Sequence, residues 1–246
     1  MDESNFKRAR KDIIIKSIMI HKNIRVKKPW GDEYILYQNK NCAAWLLNLK
    51  SNHKTSLHCH PKKKTGFILL EGSVEIEMGF YEKIRLKPLS KIMIRPGLFH
   101  STKAISKRDA KIIEIESPVD KNDLVRFKDS YGRQNMPYEG KKNFTKLTKK
   151  DLIIQNPVLN KKKNYTYNKI QISIEKTNNN FNLINKKERN IYAIVDGSLI
   201  SKNNRQVLSP GDIVRVDTIN KLSSKFKINK YITIIEIRKS KRKLPK

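Results

Sequence analysis

Apolar and polar residues alternate with a period of two over most of the first 120 positions, in short runs broken by Gly, Pro, Asn or Ser. That period belongs to strands with one buried face. The pattern predicts strands over 33–37, 42–49, 66–70, 73–78, 84–86, 92–94 and 111–116, with turns at 28–31, 39–41 and 51–54. Val74, Ile76 and Met78 fall on one face and Glu75 and Glu77 on the other. Gly72 closes a tight turn after Glu71, where a positive φ suits glycine. Residues 12–20 are β-branched and read as a first strand, at an edge or between subunits, behind a polar tail at 1–11. No amphipathic helix interrupts this region, so the class is all-β, a sandwich or barrel.

Residues 117–150 change character, with dense charge and turn residues. They read as a linker packed on the barrel, with a short helix over 122–128 capped by Asn122. The chain then repeats itself. Residues 192–198 echo 67–73, Leu208-Ser209-Pro210 echoes Leu86-Lys87-Pro88, and 234–237 echo 112–115. The expected organisation is an N-terminal tail and strand (1–27), a first barrel (28–118), a linker (119–150), a second barrel (151–240) and a basic tail (241–246).

The chemistry gathers in the first copy. His58 and His60 stand two apart in an extended run, so both face one interior while Cys59 turns away as a packed thiol. His100, from a later strand, completes a set of nitrogen donors for a divalent metal. The repeat register places Leu183 and Asn185 where His58 and His60 stand, and Leu222 where His100 stands, so the second copy lacks the set. Glu77 and Glu114 are candidate inward carboxylates for proton transfer. Arg95 is a candidate catalytic or substrate-binding group, and Lys62, Lys63 and Lys64, in a basic loop at the barrel mouth, could meet an anionic substrate, with Lys62 and Lys64 the candidates. His21 and His53 read as surface residues, and Trp30 and Phe99 as core.

His58, His60 and Gly72, followed by Pro96, Gly97 and His100, resemble the two motifs of the cupin superfamily. The resemblance implies a double-stranded β-helix, or jelly roll, duplicated here as a bicupin with a degenerate second copy. It also implies a metal at His58, His60 and His100: zinc, manganese, iron or nickel. The family's glutamate ligand, seven residues before Gly72, is Thr65 here, leaving three histidines and an open position. Residues 28–31, 56–60 and 123–133 are similar to the cupin domain of type II mannose-6-phosphate isomerases and related bacterial surface-sugar cupins.

Three functional readings follow. The first is a metal-dependent sugar or sugar-phosphate isomerase or epimerase. The second is a non-haem iron oxygenase. The third is a non-catalytic ligand-binding or regulatory module. The net charge of +31 would steer anionic ligands. It is spread along the chain without a nucleic-acid motif, which argues against nucleic acid as the partner. No apolar run is long enough for a membrane span, the first residues lack a signal-peptide core, and two cysteines form no disulfide framework. A cytoplasmic location is the expectation, and a homodimer is one way to cover strand edges.

Overall fold

The computed structural model describes residues 21–184 and 190–240. The tail at 1–11, the strand expected at 12–20, Asn185 and the basic tail at 241–246 lie outside the described residues.

The first module contains β1 (Ile24–Lys28), β2 (Gly31–Gln38), β3 (Ala43–Leu49), β4 (Leu57–Cys59), β5 (Lys64–Glu71) and β6 (Val74–Met78). It continues through β7 (Glu82–Leu86), β8 (Lys91–Ile94), β9 (His100–Ala104), β10 (Ala110–Ser117), β11 (Val125–Lys128) and β12 (Phe144–Lys146). These strands form two sheets, ordered β12-β1-β2-β3-β10-β5-β8 and β11-β4-β9-β6-β7. The sheets face each other across Trp45, Leu47, Phe67, Leu69 and Ile112 from one side and Val74, Ile76, Leu86 and Ala104 from the other. This is the jelly roll of a double-stranded β-helix.

The second module contains β13 (Lys161–Tyr167), β14 (Ile170–Thr177), α1 (Phe181–Ile184), β15 (Ile191–Ile200), β16 (Gln206–Leu208), β17 (Ile213–Arg215), α2 (Val216–Lys225) and β18 (Lys227–Lys239). Its sheet runs β13-β14-β18-β15, with β16 and β17 both paired to β15. The order β13-β14-β18-β15-β17 repeats β2-β3-β10-β5-β8 of the first module. Among the described residues the opposing sheet is not repeated. Leu183 of α1 and Ile219 and Leu222 of α2 pack there instead, against Tyr192, Ile194 and Ile234. The second module thus repeats one sheet of the first, and among the described residues it does not repeat the sheet that carries the histidines.

The two modules pack back to back within one chain. Leu46, Ile68, Ile113 and Ile115 of the first meet Ile172, Ala193, Ile213, Ile235 and Ile237 of the second in a shared core. The central strands are thus buried on both faces, which is why β3 and β5 read as near-continuous apolar runs. Gly66 permits the close approach, because a Cβ there would stand 2.4 Å from the Ile213 side chain.

Segment 119–150 is more than a linker. The helix expected over 122–128 is instead strand β11, which pairs with β4 in the register Val125↔Cys59 and Arg126↔His58. The open hydrogen-bonding edge of β4 outweighs local helix preference. No helix among the described residues is long and apolar enough to cross a membrane.

Candidate metal centre

β4 and β9 pair antiparallel with His58 opposite His100, and strand alternation turns both inward. His60 follows two residues after His58. One nitrogen from each ring lies within 4.8 Å of the others. Each ring is clamped through Nδ1 to a backbone carbonyl: His58 to Ser56 at 2.8 Å, His60 to Asp123 at 2.6 Å and His100 to Leu98 at 3.0 Å. A carbonyl only accepts, so Nδ1 carries the hydrogen and Nε2 keeps its lone pair. The Nε2 atoms of His60 and His100 are buried with no hydrogen-bond partner. Burial, reinforced by Lys63, holds His60 down at about 2, and burial holds His100 at about 4. Burial and the two neighbouring rings put His58 well below the usual imidazole range. Three neutral, oriented nitrogens fit a divalent cation.

The cavity beside the histidines is lined by Trp30, Leu47 and Phe67 on its apolar side and by Glu114, Lys121 and Arg126 on its polar side. Below it lies a buried ionic network. Lys63 Nζ donates to Glu116 at 2.6 Å, and Trp45 Nε1 donates to the other oxygen of Glu116 at 2.9 Å. Lys121 sits 3.6 Å from Glu116 and 3.6 Å over the Trp45 ring. Lys28 is 3.3 Å from Glu33, whose carboxylate also accepts from Tyr138. Arg126 and Arg133 both approach Glu139, at 3.5 and 2.6 Å.

Glu114 differs from its neighbours. It is buried, lines the cavity and makes no hydrogen bond or ion pair among the described residues. Burial raises its carboxyl to about 7, against the opposing pull of Lys121. Burial pushes Glu116 up as well, but Lys121 and Lys63 outweigh it and hold that carboxylate below the usual range. The two carboxylates lie two apart on one strand face, and their neighbours drive them apart.

The other expected site residues lie elsewhere. Glu77 is on the outer face of its sheet, where Ser101 Oγ donates to it at 3.4 Å. Arg95 is exposed in the turn after β8 and does not line the cavity. Lys62 is exposed, its backbone N–H donating to Asp123. Lys64 reaches the second module, 2.7 Å from Asp212 and 2.9 Å from Ser209. Lys63 and Lys64 are thus engaged in the scaffold while Lys62 stays exposed, because β5 begins at Lys64 and alternation sends successive lysines to different faces. His21, expected at the surface, is buried against Trp45, Tyr138 and Phe144. Cys59 is a buried free thiol pushed up by burial.

Sequence reasoning placed Lys63 in the basic loop rather than in the buried network, and missed Lys121, Arg126 and Tyr138. Only Arg126 left a signal: alternation of Val125, Arg126 and Phe127 in a strand puts it opposite the two apolar residues.

Residues 16–129 match the family model described as mannose-6-phosphate isomerase C-terminal. The xanthan biosynthesis protein XanB of Xanthomonas campestris pv. campestris is 27% identical over 111 residues, covering 44% of this chain and 24% of that protein. The match therefore spans about a quarter of the length of that curated relative. Among solved structures, KdgF from Halomonas sp. is similar with a TM-score of 0.36 at 20% identity, over 38% of this chain and 84% of that one. The capsular polysaccharide assembling protein CapF from Staphylococcus aureus gives 0.39 at 16% identity, over 43% and 34%. The matched residues fall in the first module, a jelly roll, and the second module lies outside them.

Proposed function

We propose that the first module is a metal-dependent cupin that isomerises or epimerises a sugar or sugar phosphate in carbohydrate or surface-polysaccharide metabolism. The observation that carries this reading is a cluster of three convergent imidazole nitrogens beside a cavity lined by His58, His60 and the carboxyl of Glu114. His58, His60 and His100 would hold the cation, which would polarise a carbonyl or hydroxyl oxygen of the sugar. Glu114 takes the proton from the carbon next to the carbonyl carbon and returns it to the carbonyl carbon while the hydroxyl proton passes between the two oxygens (isomerisation), or returns it to the opposite face of the same carbon (epimerisation), so nothing is consumed. Arg126 and Lys121 favour a negatively charged sugar at the same wall. Trp30, Leu47 and Phe67 exclude water from the reacting carbon.

The test is exchange of the substrate C–H with deuterated solvent, followed by NMR over a panel of aldose and ketose phosphates. Exchange should depend on added metal, vanish in Glu114→Gln with metal binding retained, and vanish with metal binding in His58→Ala and His100→Ala. Metal bound as tightly by both histidine variants as by wild type would sink the site assignment. The all-imidazole donor set also suits iron, which supports an oxygenase as a second reading. Substrate-dependent dioxygen uptake by the iron-loaded protein, without proton exchange, would favour it.

A further inference from the structure

We infer that the cleft along the seam between the two modules is a second ligand site, separate from the histidine cavity, that takes a phosphorylated sugar and is completed by residues of the second module.

The cleft holds about 650 Å³, within the range of small-molecule sites. Lys40, Lys62 and Lys64 of the first module and Asp196 and Lys230 of the second supply its charges. Lys64 is already neutralised by Asp212. Asp196 is the only carboxylate among the described residues of the lining, and both its oxygens are taken. Asn41 Nδ2 donates to one at 2.7 Å and Tyr231 Oη to the other at 3.0 Å. Lys40, Lys62 and Lys230 are exposed and have no ion pair among the described residues. Three stretches of chain, the β2–β3 turn, the loop before β5 and strand β18, thus bring unpaired lysines to the wall of one cleft. Like charges gathered there repel, and an anion between them relieves that repulsion.

The backbone of β18 is shaped to put Lys230 there. Its register with β15 runs Gly197↔Ile232 and then Ser198↔Asn229, so Lys230 and Tyr231 form a bulge. Lys230 has a φ of +63°. Of the eight described non-glycine residues with positive φ, six are asparagines, which tolerate it, whereas a lysine adopts it at a cost. Bulges re-aim side chains beside sites, and strained backbone gathers at ligand clamps. No arginine lines the cleft, so point charges rather than a bidentate fork meet the phosphoryl group. Gln206 and Asn229 line it with no side-chain hydrogen bond among the described residues, and their amides suit sugar hydroxyls.

The experiment is calorimetric titration of the full, metal-free chain at physiological salt with glucose 6-phosphate, inorganic phosphate and glucose. It compares wild type with the cleft pair Lys40→Ala, Lys230→Ala and with Lys149→Ala, Lys150→Ala, an equal loss of charge at exposed residues outside the cleft. Glucose 6-phosphate should bind wild type most tightly, inorganic phosphate more weakly and glucose not at all. The cleft pair should weaken glucose 6-phosphate by about 10-fold or more, and the outside pair by about 2-fold at most. On wild type, the sugar phosphate should also slow acetylation of Lys62 and Lys230 relative to Lys149, which locates the ligand without a substitution. Both pairs weakened alike, or acetylation slowed equally at all three lysines, would reduce the effect to overall charge and overturn the site. Failure of wild type to bind glucose 6-phosphate overturns it too. Inorganic phosphate bound as tightly as glucose 6-phosphate overturns the sugar part. Unchanged affinity in the cleft pair moves the ligand away from the seam, and leaves the reading of the histidine cavity standing.

Discussion

The two modules share a sheet order and a buried glutamate, and differ in what faces it. Glu114 lies on β10 opposite Phe67, and Glu236 lies on β18 opposite Tyr192, at matching places in the repeat. Glu236 is fully engaged: Lys162 at 2.5 Å, Ser173 at 3.1 Å and Asn190 at 2.7 Å all donate to it. Glu114 has no such partners, and the histidine-bearing sheet stands across from it. Where helices stand in place of that sheet, the carboxylate is part of the scaffold. Where the sheet persists, the carboxylate faces the cavity, and burial raises its carboxyl. Perturbed carboxyls concentrate where chemistry needs them.

The sharpest break should come from the network beneath the site. Lys63→Ala leaves Glu116 buried with its closest cation removed, and should destabilise the first module by about 3–5 kcal/mol. Urea unfolding of the metal-free protein measures it. The Lys63→Met, Glu116→Gln pair should recover much of the loss, since neither member then leaves a lone charge.

Next comes a change of opposite sign. Glu114 rises from an ordinary value of 4.5 to about 7 in the folded chain. Between those values the folded state holds the extra proton, so stability falls as pH climbs through that window. Glu114→Gln should therefore stabilise the metal-free protein at pH 8 by about 3 kcal/mol. The gain should vanish near pH 4, where both states are protonated. A stability curve that is the same for both chains at every pH would show that Glu114 is satisfied after all.

The same substitution in the second module should go the other way. Glu236→Gln weakens hydrogen bonds to a charged acceptor and should cost about 1–3 kcal/mol, read by the same unfolding assay. Gain in one module and loss in the other is the signature of the difference between them. The smallest effect is expected at the seam. Lys64→Ala removes a partly exposed pair with Asp212 and should cost about 0–1 kcal/mol, visible as a slight fall in Tm.

Much of this molecule was legible in the chain. Period-two alternation around Gly72 and Pro96 predicts the central strands of the first module but not β1, β11 or β12, and the inward turn of His58 and His60 follows from that alternation. The repeat is visible because the strands that bury both faces must stay apolar, as Ile234-Ile235 and Ile112-Ile113 do. Arg95, Lys62 and Lys64 do not line the histidine cavity, because charge near a motif says nothing about direction, and direction depends on one residue of register. Segment 122–128 misled because its local composition permits a helix, while the edge of β4 demands a strand.

The sequence by itself determined the strand pattern, the duplication and the three inward histidines, because these depend on local periodicity and on residue types that few other roles require. Only the tertiary structure decided which carboxylate stays free, which lysines are buried, and that the modules pair within one chain. Those outcomes turn on contacts between residues far apart in sequence, such as Lys63 with Glu116 and Glu236 with Lys162. In a buried site such contacts set the charge state of each group, and no local pattern encodes them.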